Sequence, residues 1–195
     1  MGDVLGYSGA LRRLAVEVGK IASDLRLLSM GPRAGVAEIR LPAVQPGSSI
    51  MPGKVNPVMP EMMMQVAAQV VGNDATITWG AANGNFELNV MMPVIAHNLD
   101  ESIALLASAA RVFAEKCVAG LVADEARCRQ LVERNVIIVT ALNPHIGYDN
   151  GAKVAKEALA SGKSVRQVVL DHGLMSEPDL DRALDLKRMT EGGVL

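Results

Sequence analysis

Aromatic residues are nearly absent from this chain, which has two Phe, two Tyr and one Trp in 195 residues. Its interior must therefore be filled by Leu, Val, Ile, Ala and Met. That choice suits helix packed on helix better than a sheet sandwich. Cysteine is equally scarce: Cys117 and Cys128 cannot make a disulfide framework in a chain of this length. They fit a reduced cytoplasmic or matrix setting as small apolar residues. Lys plus Arg total 19 against 21 for Asp plus Glu, with no basic run, which argues against a nucleic-acid partner. His97, His145 and His172 are scattered and pair with no cysteine at zinc-site spacing, so neither a metal nor another cofactor is expected. No apolar run is long enough to cross a bilayer, and Met1-Gly2-Asp3 opens no signal-peptide pattern. A soluble protein without a membrane partner is the expectation.

What is present is a chain half apolar, with 11 methionines, long enough for one sizeable core or a core with a small appendage. Leu11, Leu14, Val18, Ile21, Leu25 and Leu28 repeat at alternating intervals of three and four. This heptad predicts a long helix packed at a shallow angle, with Arg13, Glu17, Lys20 and Asp24 off the seam. Gly31-Pro32 ends it. Asn56-Pro57 predicts a helix start, with asparagine as N-cap and proline at the first helical position. From Val58 to about Trp79 that helix is apolar almost all round, except for Glu61, Gln65, Gln69 and Asn73, spaced four apart. The polar stripe reads as interhelical hydrogen bonding, and Met59 with Met62 to Met64 as core filler. Leu99, Ile103, Leu106, Ala110, Phe113 and Cys117 predict a third long helix, stopped near Gly120.

Beyond Gly120 the helices shorten. Asp124 opens one, Ser164 with Gln167 and Ser176 with Asp179 predict capping boxes, and the stretch from Gly147 to Gly151 predicts a turn. The expected fold is all-α: a long-helix bundle segment over residues 1–120, then a small helical C-terminal subdomain over 121–195. Three long amphipathic helices leave apolar surface that neighbouring chains would cover.

The densest chemistry lies in the loop 46–57, Pro46-Gly47-Ser48-Ser49-Ile50-Met51-Pro52-Gly53-Lys54-Val55-Asn56-Pro57. Two hydroxyls, a cation and an amide sit between glycines and prolines that no helix or strand can run through. Read without context, Ser48 and Ser49 are turn hydroxyls, Lys54 a solvated lysine, Asn56 a cap, and Glu61 a first-turn acid favoured by the helix dipole.

The loop resembles the signature loop of the fumarase/aspartase superfamily. Leu41-Pro42-Ala43-Val44-Gln45-Pro46 before it and Pro57-Val58-Met59-Pro60-Glu61 after it extend the likeness. Gly84-Asn85-Phe86-Glu87-Leu88-Asn89-Val90 and Asn143-Pro144-His145-Ile146-Gly147-Tyr148-Asp149 look like class II fumarases in particular. The resemblance implies a homotetrameric, metal-free lyase that interconverts fumarate and malate, a tricarboxylic acid cycle reaction. It implies Ser48 as the base, Ser49, Lys54 and Asn56 at the substrate carboxylate, and Glu61 as partner of a histidine from another subunit. Against that family the chain reads as a C-terminal portion, without the N-terminal carboxylate-binding motif and without the Gly-Arg-Thr-His segment. A piece with one part of a composite site is expected to be inactive by itself. An aspartate ammonia-lyase piece is the nearest alternative, although Ala82-Asn83-Gly84-Asn85-Phe86 departs from the Glu-Ala-Gly-Gln that aspartases tend to carry there. An oligomerising helical module without activity is the other alternative.

Overall fold

The computed structural model describes residues 1–51 and 53–191; Pro52 of the signature loop lies outside them. The chain falls into two compact units, Met1–Asp124 and Glu125–Leu195.

The first unit is built on three helices, α1 (Gly2–Leu28), α2 (Val58–Ala82) and α3 (Met92–Lys116). At 1.5 Å per residue each is about 40 Å long. The end of α1 lies beside the start of α2, where Arg26 meets Glu61, and its first turns lie beside Asp74, so the two run antiparallel. A two-residue strand β1 (Ile39–Arg40) pairs antiparallel with β2 (Val122–Ala123), Ile39 opposite Ala123. This short ladder ties the segment entering the signature loop to the chain just beyond α3. The fold is otherwise helical, as composition predicted.

The predicted seam of α1 is displaced by a residue. Ser8, Ala15 and Ala22 are the fully buried positions, and Leu11, Val18 and Leu25 pack partly against them. Leu14 and Ile21, placed on the seam by the heptad, are 46% and 51% exposed. The cause is close approach: a Cβ at Gly19 would sit 3.1 Å from Cβ of Ala67, so α1 and α2 meet through small residues and the larger leucines are pushed to the flank. Helix α3 is displaced by one residue in the opposite direction. Ile95, Ser102, Leu106, Ala109 and Phe113 are buried, whereas Ile103 and Ala110 are exposed.

Two buried polar contacts pin α2 to its neighbours from adjacent residues. Asp74 accepts from the Ser8 hydroxyl at 2.6 Å and lies 3.2 Å from the Arg12 guanidinium, which fixes α1. Asn73 donates to Glu101 at 2.9 Å and to Ser102 at 3.1 Å, and accepts from Gln69 at 2.8 Å, which fixes α3. Neighbouring residues on a helix point about 100° apart, so consecutive side chains can serve different partners. The polar stripe curls for the same reason. Each step of four turns the side chain by about 40°, carrying it from half-exposed Glu61 to buried Asn73.

The second unit holds α4 (Glu125–Arg134), a 3-10 stretch (Val136–Leu142), α5 (Asn143–Ile146), α6 (Tyr148–Ser161), α7 (Val165–Asp171), α8 (Glu177–Ala183) and α9 (Leu186–Glu191). Its core gathers Leu142, Val154, Ala158, Val168, Val169 and Leu180. Ser164 caps α7 by accepting from the Gln167 N–H, but the Gln167 side chain bonds Asp171 rather than closing the box. Ser176 caps α8 and also donates to the Asp179 carboxylate. The turn predicted over 147–151 is confined to Gly147; Gly151 is buried within α6. Gly162 ends α6 at φ +73°, where a side chain would be strained.

Candidate active site

The signature loop folds back on itself at its neck. A Cβ on Gly47 would fall 1.1 Å from the Lys54 carbonyl oxygen, so only glycine lets the two ends of the loop meet. Between them, the Ser48 Oγ accepts from the backbone N–H groups of Ile50 and Met51, each at 3.2 Å. This serine turn is the ordinary device expected of a loop hydroxyl. It is also a pair of N–H dipoles aimed at one oxygen, which favours negative charge there. Ser48 is half-buried and Ser49 exposed.

After the neck the chain enters α2, but not as predicted. Helix α2 begins at Val58, Pro57 occupies the cap position with ψ 64°, and no side chain caps it. The Val58 N–H donates to the Asn56 carbonyl at 2.9 Å, a tight turn that replaces the expected side-chain cap. The Asn56 amide is thereby left to other work.

That work has a location. An open cleft of about 710 Å³ is lined by Lys54, Asn56 and Glu61 together with Ser23, Ser29 and Arg26 from the end of α1. Lys54 and Asn56 also line a second opening with Arg40 and Asp124. Arg26 Nε lies 3.8 Å from Glu61 Oε1. Three of the five predicted residues therefore share one cavity, whereas Ser48 and Ser49 are not among its lining residues. Two cations and an amide face one carboxylate, a balance that suits an anionic ligand.

Sequence reasoning missed Arg26, because it followed the apolar period of α1 and not the polar residues of its last turn. The signal was the Gly31-Pro32 break, which implied that the end of α1 returns towards the start of the next helix.

A helical bundle with a glycine-pinned serine loop opening beside a cationic cleft defines the class of protein, and comparison with known proteins places it. Residues 1–72 match the Lyase family and residues 138–191 match the Fumarase C C-terminus family. The class II fumarate hydratase of Mycobacterium tuberculosis is 55% identical over 188 residues, covering 94% of this chain and 40% of that protein. The aspartate ammonia-lyase of Pseudomonas canavaninivorans is 52% identical over 189 residues, covering 97% of this chain and again 40% of the relative. Among solved structures, fumarate lyase:delta crystallin from Brucella melitensis superposes with a TM-score of 0.92 at 51% identity, over 97% of this chain and 41% of the other. The chain belongs to the fumarase/aspartase superfamily of lyases. It spans about 40% of the length of the curated relatives it matches.

Proposed function

We propose that this chain carries part of the active site of a fumarate hydratase, a carbon–oxygen lyase that interconverts fumarate and malate. The observation that carries the reading is the meeting of Lys54, Asn56 and Glu61 in one cleft with Arg26. In the malate-to-fumarate direction the base removes a proton from the carbon next to one carboxylate. The electron pair moves into that carboxylate as an aci-carboxylate dianion, and hydroxide then leaves the other carbon, protonated to water. Ser48 is the base, its oxyanion supported by the two N–H groups that already point at Oγ. Lys54 and Asn56 hold the carboxylate and stabilise the dianion, with Ser49 binding beside them. Glu61 pairs with a histidine from another subunit and raises its basicity.

Such a site is completed between chains, and the proposed assembly is a homotetramer in the cytoplasm. The apolar residues that α1 to α3 leave exposed support it, Leu14, Ile21, Trp79 and Ile103 among them. Among the described residues no helix is long and apolar enough to cross a membrane.

Aspartate ammonia-lyase is the second reading, since relatives of both kinds match at similar identity. The test is complementation. The chain is mixed with a separately produced N-terminal portion of the Mycobacterium tuberculosis relative, and fumarate is followed by absorbance with malate or L-aspartate as substrate. Malate should give fumarate only in the mixture, and Ser48→Ala should lower the rate by orders of magnitude, roughly 10²-fold or more. Fumarate from L-aspartate but not malate would replace the reading by the second. Full turnover with Ser48→Ala would remove the serine from its role.

A further inference from the structure

Among the described residues of the second unit, two cavities differ in charge. One, of about 350 Å³, sets Arg129, Arg166 and Lys187 against Glu133, Asp181 and Asp185. Arg166 and Asp181 pair there at 2.6 Å. Three cations answer three carboxylates, and the crevice satisfies itself.

The other cavity, of about 640 Å³, is bounded by α5, the turn at Gly173, α8 and α9. Its cationic groups are Arg182 and Arg188, with the His145 imidazole beside them, and the one carboxylate among the described residues lining it is Asp179. That carboxylate is already taken. It accepts from the Ser176 hydroxyl at 2.5 Å and pairs with Arg182. Those contacts, Ser176 first, hold its carboxyl below the ordinary aspartate value. Arg188 and the His145 imidazole then line a cavity that offers them no second carboxylate. Leu174 and Met175 supply an apolar wall beside them.

We propose that this cavity binds an organic anion, its charged head at Arg188 and His145 and its apolar body against Leu174 and Met175. The arrangement follows the general design of small-molecule sites, in which apolar walls bury the body and a few convergent polar groups orient the head. A guanidinium presents a planar fork of donors to phosphate or carboxylate oxygens, and the imidazole adds an N–H donor. This site shares no lining residue with the Lys54 cleft and stands or falls independently of the lyase reading.

The experiment is an amide NMR titration of the full chain with phenylphosphate, inorganic phosphate and benzyl alcohol. Phenylphosphate should give saturable shifts at Ala141, Gly173 and Ala183. Inorganic phosphate, lacking the apolar body, should bind about tenfold more weakly. Benzyl alcohol, lacking the charge, should not saturate. Arg188→Gln should weaken phenylphosphate by roughly tenfold or more, and Arg188→Lys by less, since a charged hydrogen bond is lost in the first case. Arg166→Gln, in the self-balanced cavity, should leave binding unchanged. If Arg188→Gln perturbs the fold, His145→Phe keeps a ring and removes the donor, and should still weaken binding severalfold. No saturation by roughly 20 mM phenylphosphate overturns the proposal. So does equal binding by the folded Arg188→Gln or His145→Phe variant, or equal response to benzyl alcohol.

Discussion

The two units solve the same packing problem in opposite ways. In the second, short segments close a compact apolar core, with Leu142, Val168, Val169 and Leu180 fully buried in a unit of roughly 70 residues, while Ile137, Tyr148 and Leu159 stay outside it. In the first, α2 packs against both α1 and α3; Met63, Val70 and Ile77 are buried there, but so are the small or polar Ser8, Ala15, Ala22 and Asn73, and α1 and α3 each give one stripe to the contact. Leu14, Ile21 and Trp79 face outward there, and Phe86 stands fully exposed at a loop with φ +52°. A short-helix unit can close its own core. A three-helix layer with a stripe on two sides cannot, and that asymmetry is the physical basis for expecting the first unit to associate.

The sharpest break in the contrast would come from Leu180→Ala. It leaves a cavity in a closed core and should cost the second unit about 2–5 kcal/mol, read by denaturant unfolding. Leu14→Ala should change the stability of the isolated chain by no more than about 0.5 kcal/mol, because its side chain is on the surface. It should instead weaken self-association in sedimentation velocity. Equal losses from both substitutions would mean that the units do not differ as described.

Next in size is Asn73→Ala. It strips partners from Ser102, Glu101 and Gln69 at the α2–α3 contact and should cost the first unit about 1–3 kcal/mol. Thermal unfolding should register it in that unit alone. Removing the cap of α7 with Ser164→Ala is a smaller perturbation of the second unit, about 1 kcal/mol, and Ser164→Gly should cost less.

The smallest effect is electrostatic and again confined to the second unit. The Lys163 ammonium, then the Gln167 amide, hold the Asp171 carboxyl below its ordinary value, and Ser176 followed by Arg182 do so for Asp179. A lowered native value contributes stability above the ordinary aspartate range and loses it as pH falls through that native value. Lys163, raised by its hydrogen bond to Asp171, contributes below the ordinary lysine value and loses its share as pH rises through the raised one. The melting temperature of the second unit should therefore fall at both extremes of pH, and molar salt should flatten the dependence, since these groups are exposed.

Much of the first unit was legible from period and punctuation. Three helices, the break after Leu28 and the stop of α3 just before Gly120 all follow from local preference. The exact seam was not, because a heptad count ranks positions by size, whereas burial is decided by how closely two backbones come together. Ala15 and Ala22 are buried for being small. In the site, the residue types around Gly47 announced a constrained loop, yet nothing local said that Gly47 would lie against the Lys54 carbonyl. The Asn56 cap failed for a similar reason: local preference allowed two partners for the first N–H of α2, and the backbone turn at Pro57 took the nearer one.

Composition and pattern alone determined that this chain would be helical, with an aliphatic interior and a glycine-pinned loop rich in polar groups. These are properties of single residues and of spacing along one chain. Only the tertiary structure decided that Arg26, more than thirty residues before Glu61, would stand 3.8 Å from it in a cleft with Lys54 and Asn56. It alone decided that adjacent Asn73 and Asp74 would serve different helices. Such partnerships depend on the antiparallel return of one long helix along another, and no local preference encodes where that return brings two side chains together.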